Sequence, residues 1–215
     1  DAAAGARAVR SARRDASIAS LVGPGAQGDV RSASVHFDAA HAKLGNPLLA
    51  PLRVVPIASR HLRASQQLVD ASRDGTAVAD EALVSLRALT DRPRTAGPER
   101  IETLRDLAKV ATRAERALER IDPGSPDALI GPLGDAVAEL DAQRADAATA
   151  ARRLGATSLA IAALLEGPEP YLLLGANNAE MRNGSGMALS AAELSFDQGR
   201  MRLGDVRPTA DLVVP

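Results

Sequence analysis

The chain has 215 residues, of which 46% are hydrophobic but only 1% aromatic, and its formal net charge is −1. That balance gives no strong electrostatic drive toward nucleic acid or an anionic membrane surface. With no cysteine, disulfide and thiol chemistry are excluded, while the compartment stays open. The 45 alanines favour helices at little side-chain entropy cost. A core of Ala, Leu and Val suits close helix–helix approach better than a thick aromatic centre. Lys43 and Lys109 are the only lysines. Arginine carries the remaining positive charge, which we read as the mark of a GC-rich genome. No apolar run reaches the ~20 residues needed to span a bilayer. The sequence opens at Asp1 inside a helical pattern and stops at Leu212-Val-Val-Pro215 after a strand-like region. The expectation is a segment of a longer protein.

In chain order, residues 2–22 read as a first helix ended by Gly23-Pro24-Gly25. Asp29 is placed to cap a second helix, from about 30 to 43, stopped by Gly45-Asn46-Pro47. Residues 47–56, with Pro47, Pro51 and Pro56, predict a short helical turn and a change of direction. A long helix should follow from Ile57 to about Leu89, with Gly75 as its weak point, since glycine costs roughly 1 kcal/mol in a helix interior. After the loop Asp91–Pro98, Pro98 is a favourable first-turn residue for a helix reaching Ile121. Its apolar seam runs through Ile101, Leu104, Ala108, Ala111, Ala114, Leu118 and Ile121. Asp122-Pro123-Gly124 breaks it.

The last helix is expected to start at Ser125 or Asp127, with Pro132 in its early turns. Leu133, Val137, Leu140, Ala147, Ala151, Leu154, Ser158, Ile161 and Leu165 repeat the three–four rhythm, and Arg144 interrupts it. Short breakers between two long helices predict an antiparallel hairpin. A dimerising coiled coil is the less favoured alternative. Beyond Gly167-Pro168, Tyr171–Leu174 reads as a short buried strand. Met187–Phe196, the turn Asp197-Gln198-Gly199 and Arg200–Val206 read as a hairpin.

Few residues suggest chemistry. His36 and His41 are five apart, which puts them off the i, i+4 edge that metal ligands need, and with His61 they read as structural. Gly184-Ser185-Gly186 fits neither the nucleophile elbow, since no histidine follows it, nor a phosphate loop of the Walker type. A tight turn is the favoured role, although such a turn can present backbone N–H groups to an anion. Asn177, Asn178, Glu180 and Arg182 form a dense polar cluster directly behind a strand. Ligands of helix-covered sheets often sit at the carboxyl ends of strands. An arginine with amide donors there suits a phosphate or carboxylate. A turn with a surface ion pair is the bland alternative.

The run Tyr171-Leu-Leu-Leu-Gly-Ala-Asn-Asn-Ala-Glu-Met-Arg182 resembles the signature of a bacterial family known as domain of unknown function 4012. In it a Leu-rich strand precedes Gln-Asn-Asn-x-Glu-Leu-Arg, a Gly-Gly turn and a hairpin ending in Asp-x-Gly. Asn177, Asn178, Glu180 and Arg182 match residue for residue, as do Gly186, Asp197 and Gly199. Gly175, Ala176 and Ser185 depart from the pattern. The resemblance implies an extracytoplasmic protein, anchored by a transmembrane segment before the helical region and continuing past this chain's end. The strand, polar loop and hairpin are also distantly similar to the LytR-CpsA-Psr proteins, which attach glycopolymers to the cell wall. The defining Asp and Arg motifs of those proteins are not evident here.

These readings combine into a mainly α fold. Long antiparallel helices should fill residues 1–166, and an incomplete α+β region should occupy 167–215, with a strand at 170–175 and a hairpin at 187–206. The expected role is an extracytoplasmic structural or interaction module of a membrane-anchored envelope protein, with an envelope protein or glycopolymer as partner. The alternative is a site for an anionic envelope substrate such as a lipid-linked glycan phosphate. It would be built from Asn177, Asn178, Glu180, Arg182, Gly184, Ser185 and Gly186. No catalytic residue, metal, cofactor or nucleic-acid partner is expected, and contact with the membrane is expected only through a segment outside this chain.

Overall fold

The computed structural model describes residues 24–47, 55–93, 96–177 and 187–211. The expected helix 2–22 and residues 48–54 of the proline-spaced crossing lie outside these. Among the described residues the order is α1 (Pro24–Leu44), α2 (Pro56–Thr90), α3 (Pro98–Glu119), α4 (Gly131–Glu166), β1 (Pro170–Asn177), β2 (Met187–Asp197), β3 (Arg200–Leu203), β4 (Arg207–Pro208) and a 3-10 turn at Thr209–Asp211. The fold is mainly α, followed by a small antiparallel sheet containing the expected hairpin.

Two helix starts differ from expectation, and proline explains both. Pro24 opens α1, so Asp29 lies inside the helix and does not cap it. A proline in the first turn costs no hydrogen bond, because the N–H it lacks has no partner there. The same rule moves the start of α4 from Ser125 or Asp127 to Gly131, which puts Pro132 at the second position. Ser125 and Asp127 instead make a local turn, in which the Asp127 N–H and a carboxylate oxygen both meet the Ser125 hydroxyl, at 3.1 and 2.8 Å. Helix α2 runs unbroken through Gly75.

The chain divides into two compact units, residues 1–92 with 109–155 and residues 93–108 with 156–215. In the first, α1 lies antiparallel to α2. Asp38 meets Arg73 and His41 meets Asp70, each at 2.7 Å. The Gln66 amide donates to the Leu44 carbonyl at 3.1 Å, and Arg87 bonds Gln27. Ala33, Phe37 and Ala40 of α1 are buried, as are Ala64, Val69 and Ala71 of α2. The later part of α3 and the earlier part of α4 are also antiparallel. Arg152 bridges Glu115 at 2.5 Å and Glu119 at 2.8 Å. Arg144 is paired with Asp141 at 2.7 Å and reaches the Leu118 carbonyl at 3.4 Å, which accommodates a charge on the seam.

The buried stripe of α4 departs from the expected seam at several positions after Leu140. Ser158 is buried as expected, but Ala148 and Ala162 are buried in place of Ala147 and Ile161, and Leu154 is exposed. Three turns of a straight helix take about 10.8 residues. The residue that returns to the face of Val137 is therefore Ala148 and not Ala147, because a seven-residue step drifts around a straight helix. The inward residues are small, so a neighbouring backbone can come close.

In the second unit β1, β2 and β3 form an antiparallel sheet in that order, and β4 also pairs with β2. Cross-strand partners include Tyr171 with Leu194, Leu173 with Ala192 and Phe196 with Met201. These residues share one apolar face. On it, the Tyr171 and Phe196 rings meet edge to face, with centroids 5.8 Å apart. Ala192 and Phe196 are its buried apolar groups, and Ala191 is buried on the other face.

Candidate functional site

The hairpin turn anchors the sheet to the end of α4. Gln198 and Gly199 both have positive φ, 48° and 78°, which is the two-residue turn whose twist suits a hairpin. Its amides point back at the helix. The Gln198 N–H donates to the Glu166 carbonyl at 3.2 Å, and the Gly199 N–H donates to the Leu165 carbonyl at 2.8 Å. These are two of the carbonyls that every helix leaves without an internal partner at its C-terminus. Gly97 joins the same junction, donating its N–H to the Gly199 carbonyl at 3.4 Å, while its own carbonyl accepts from Arg100 N–H in the first turn of α3. A Cβ on Gly199 would lie 2.1 Å from the Gly97 carbonyl oxygen, and one on Gly167 1.8 Å from that of Phe196. Arg105 closes the junction with two bonds of 3.0 Å to the Glu166 carboxylate.

At the opposite end of β1 lies the polar segment singled out in the sequence. Asn177 is the last residue of β1 and pairs with Met187, the first of β2. The register shifts between Gly175 and Ala176. A Cβ at Gly175 would lie 2.6 Å from the Ser190 hydroxyl, which would have to turn away to make room. Asn178, Glu180, Arg182, Gly184, Ser185 and Gly186 lie outside the described residues. The pairing of Asn177 with Met187 nonetheless tethers both ends of their connection to one end of the sheet.

Among the described residues, no group of three or more His, Asp or Glu side chains is placed to hold a metal ion. A charged groove between α1 and α2 escaped the sequence reading. It encloses about 360 Å³, lined by Arg31, Asp38, Arg73, Asp74 and Asp80 among others. One Asp80 carboxylate oxygen is buried there without a hydrogen bond to any of the described residues. These residues are spread over two helices, and no motif connects them. Between α3 and α4, the hydrogen bond that Arg152 donates to Glu115, reinforced by the charge of Glu115 and by Glu119, raises the pKa of Arg152. This guanidinium is an electrostatic strap, not a proton donor.

The described chain is thus a helical scaffold ending in a hairpin-capped α+β segment. Residues 166–215 match the family model described as Protein of unknown function (DUF4012), and that part of the chain is identified as a DUF4012-family segment. No curated protein and no solved structure matches the chain. The matched segment holds the Asn-Glu-Arg cluster as well as Asp197 and Gly199, the residues that carried the resemblance.

Proposed function

We propose that this chain is an extracytoplasmic structural and interaction module of a membrane-anchored cell-envelope protein. The location and anchor are what the family resemblance implies. The interaction role rests on one observation, the open sheet. Tyr171, Leu172, Leu173 and Leu174 are between 41 and 69% exposed, and alternate residues of a strand point to opposite faces. Both faces of β1 therefore carry uncovered apolar side chains. Met201 and Leu203 extend one of these faces across β3. Continuous apolar strands belong in sheets covered on both sides. β1 also carries no charged residue, so it lacks the lysine or inward charge that usually blunts a sheet edge. The occupant it suits is an extended, uncharged apolar strand of an envelope polypeptide that continues the sheet at β1.

The location is tested by fusing a reporter active only outside the cytoplasm after Pro215 of the full-length protein. Activity supports the reading, and a silent, expressed fusion refutes it. The covering is tested by hydrogen exchange on the full-length protein. Protection is expected at the β1 amides that do not bond β2 and face the open edge, and Leu172→Lys should remove it. Fast-exchanging β1 amides in the unmutated protein would refute an occupied edge.

A second reading makes the connection 178–186 a site for an anionic envelope substrate. It is favoured by the Asn177–Met187 pairing, which sets side by side the two strand ends that flank residues 178–186 in the sequence. In this reading Arg182 holds a phosphate, Asn177 and Asn178 orient it, and Glu180 fixes Arg182 or acts as a base.

A further inference from the structure

We propose that His61 is an acid-released latch between the first turns of α2 and the start of α4. Its ring lies between two backbone groups of fixed polarity. Nδ1 is 2.8 Å from the Ile57 carbonyl oxygen, which can only accept. Nε2 is 2.9 Å from the Ile130 nitrogen, whose N–H can only donate. Both bonds exist together in one state alone, a neutral imidazole carrying its proton on Nδ1 and accepting at Nε2.

Protonation is incompatible with this arrangement. A proton added to Nε2 would face the Ile130 N–H, and two donors cannot share a bond. The new charge would also lie at the N-terminus of α4, the positive end of the helix dipole. Ile130 is the residue through which that helix is started. Its carbonyl accepts from the N–H groups of Leu133 and Gly134, both at 3.0 Å. Ile130 is exposed, so water can take over its N–H once the ring leaves. Release is therefore a local opening of the connection ahead of α4 and not a global unfolding.

The neighbouring charges do not counter this. On its own helix the nearest in sequence are Arg60 and Arg63, and the Arg63 Nε is bonded to the Ser59 carbonyl. On the connection, Asp122 accepts from the Gly124 N–H and Asp127 from the Ser125 hydroxyl. His61 forms no ion pair with any described residue. His41 supplies the contrast within the same unit. It faces the Asp70 carboxylate at 2.7 Å near the C-terminus of α1, with Asp38 and Arg73 beside the pair. Charging His41 keeps that contact, whereas charging His61 breaks one.

The test is NMR on the 215-residue chain between about pH 8 and about pH 5, the range over which histidines change charge. Long-range nitrogen–proton correlations should show His61 protonated on Nδ1 at the upper pH. The protection factor of the Ile130 amide should fall about tenfold on acidification, the equivalent of one lost hydrogen bond. In His61→Gln, whose side-chain oxygen can accept from Ile130 but cannot be charged, it should change less than about twofold. His41→Asn should leave the Ile130 response intact. An Nε2–H tautomer at high pH overturns the proposal. So does an Ile130 amide that is indifferent to pH, or one that responds equally in His61→Gln.

Discussion

The Gly199 amide donates to the Leu165 carbonyl at 2.8 Å, so the tip of the β2–β3 hairpin acts as the C-cap of α4. This bond and the one from the Gln198 N–H to the Glu166 carbonyl tie the last long helix to the sheet, and the Gly199 bond requires a backbone that only glycine adopts without strain. Asp197 and Gly199, which first stood out as family markers, belong to this junction. Gly199 there joins the hairpin to the helix through its N–H.

Replacing that glycine should be costly. Gly199→Ala must hold a φ near 78° and place a methyl group 2.1 Å from a carbonyl oxygen. Gly167→Ala meets the same problem against Phe196. Each is expected to cost at least about 2 kcal/mol, since left-handed backbone and steric strain add. Urea denaturation measures this. An unchanged midpoint for either variant would show that the junction is looser than described.

The narrow stripe of α4 makes an asymmetric prediction. Ala148→Leu pushes a large side chain into a place with almost no exposed surface and should destabilise by about 1–3 kcal/mol. Leu159→Ala, on the exposed flank of the same helix, should stay within about 0.5 kcal/mol. Thermal melts of both variants settle the register. The reverse order of effects would return the stripe to the heptad positions Ala147 and Leu154.

The Arg105–Glu166 pair joins one guanidinium nitrogen to both carboxylate oxygens and is about half exposed on each side. A double-mutant cycle with Arg105→Ala and Glu166→Gln should give a coupling of about 0.2–1 kcal/mol. A coupling well above that range would mean that the pair is better shielded than its exposure indicates.

Arg152, with its raised pKa, stays charged wherever the protein is folded, so its bridge responds to the carboxylates. Glu115→Gln should weaken the α3–α4 packing more than Glu119→Gln, because Glu115 makes the larger contribution. Both effects should shrink in about 1 M salt, where charges are screened within about 3 Å. Denaturation curves at two salt concentrations provide the readout, and salt-independent differences would point to lost packing.

The anionic-substrate reading predicts that the full ectodomain binds a polyprenyl phosphate and that Arg182→Ala weakens binding at least tenfold, the worth of a charge-assisted bond of about 1.5 kcal/mol or more. Titration calorimetry tests it. No binding by the wild type, or equal binding by the variant, would leave the interaction reading alone.

Much of this architecture was legible from local chemistry. Pro98 opens α3 as expected, Gly45 follows the end of α1, and the Asp197-Gln198-Gly199 turn lies where its residue types put it. These depend on backbone preferences that act within a few residues. The legible part of the candidate site was its composition, Asn177 through Gly186, because those residue types are unusual behind an apolar strand. What that reading missed was non-local: the groove joining Arg31 and Asp38 to Asp80, the bond from Ile130 to His61, and the covering of two helix carbonyls by a hairpin tip. Each joins residues remote in sequence, and no periodicity records such a meeting.

By itself the sequence determined a helical scaffold, because 45 alanines and well-placed prolines and glycines set where helices run and stop. It also determined the sheet's pairing end, through a two-residue turn that allows only one register. The tertiary structure decided which of the many small apolar residues face inward. A straight helix does not follow a seven-residue repeat, and contact with a neighbour, not spacing, chooses Ala148 over Ala147. It also decided that His61 bridges two backbone groups, since only folding brings the Ile130 N–H to its ring.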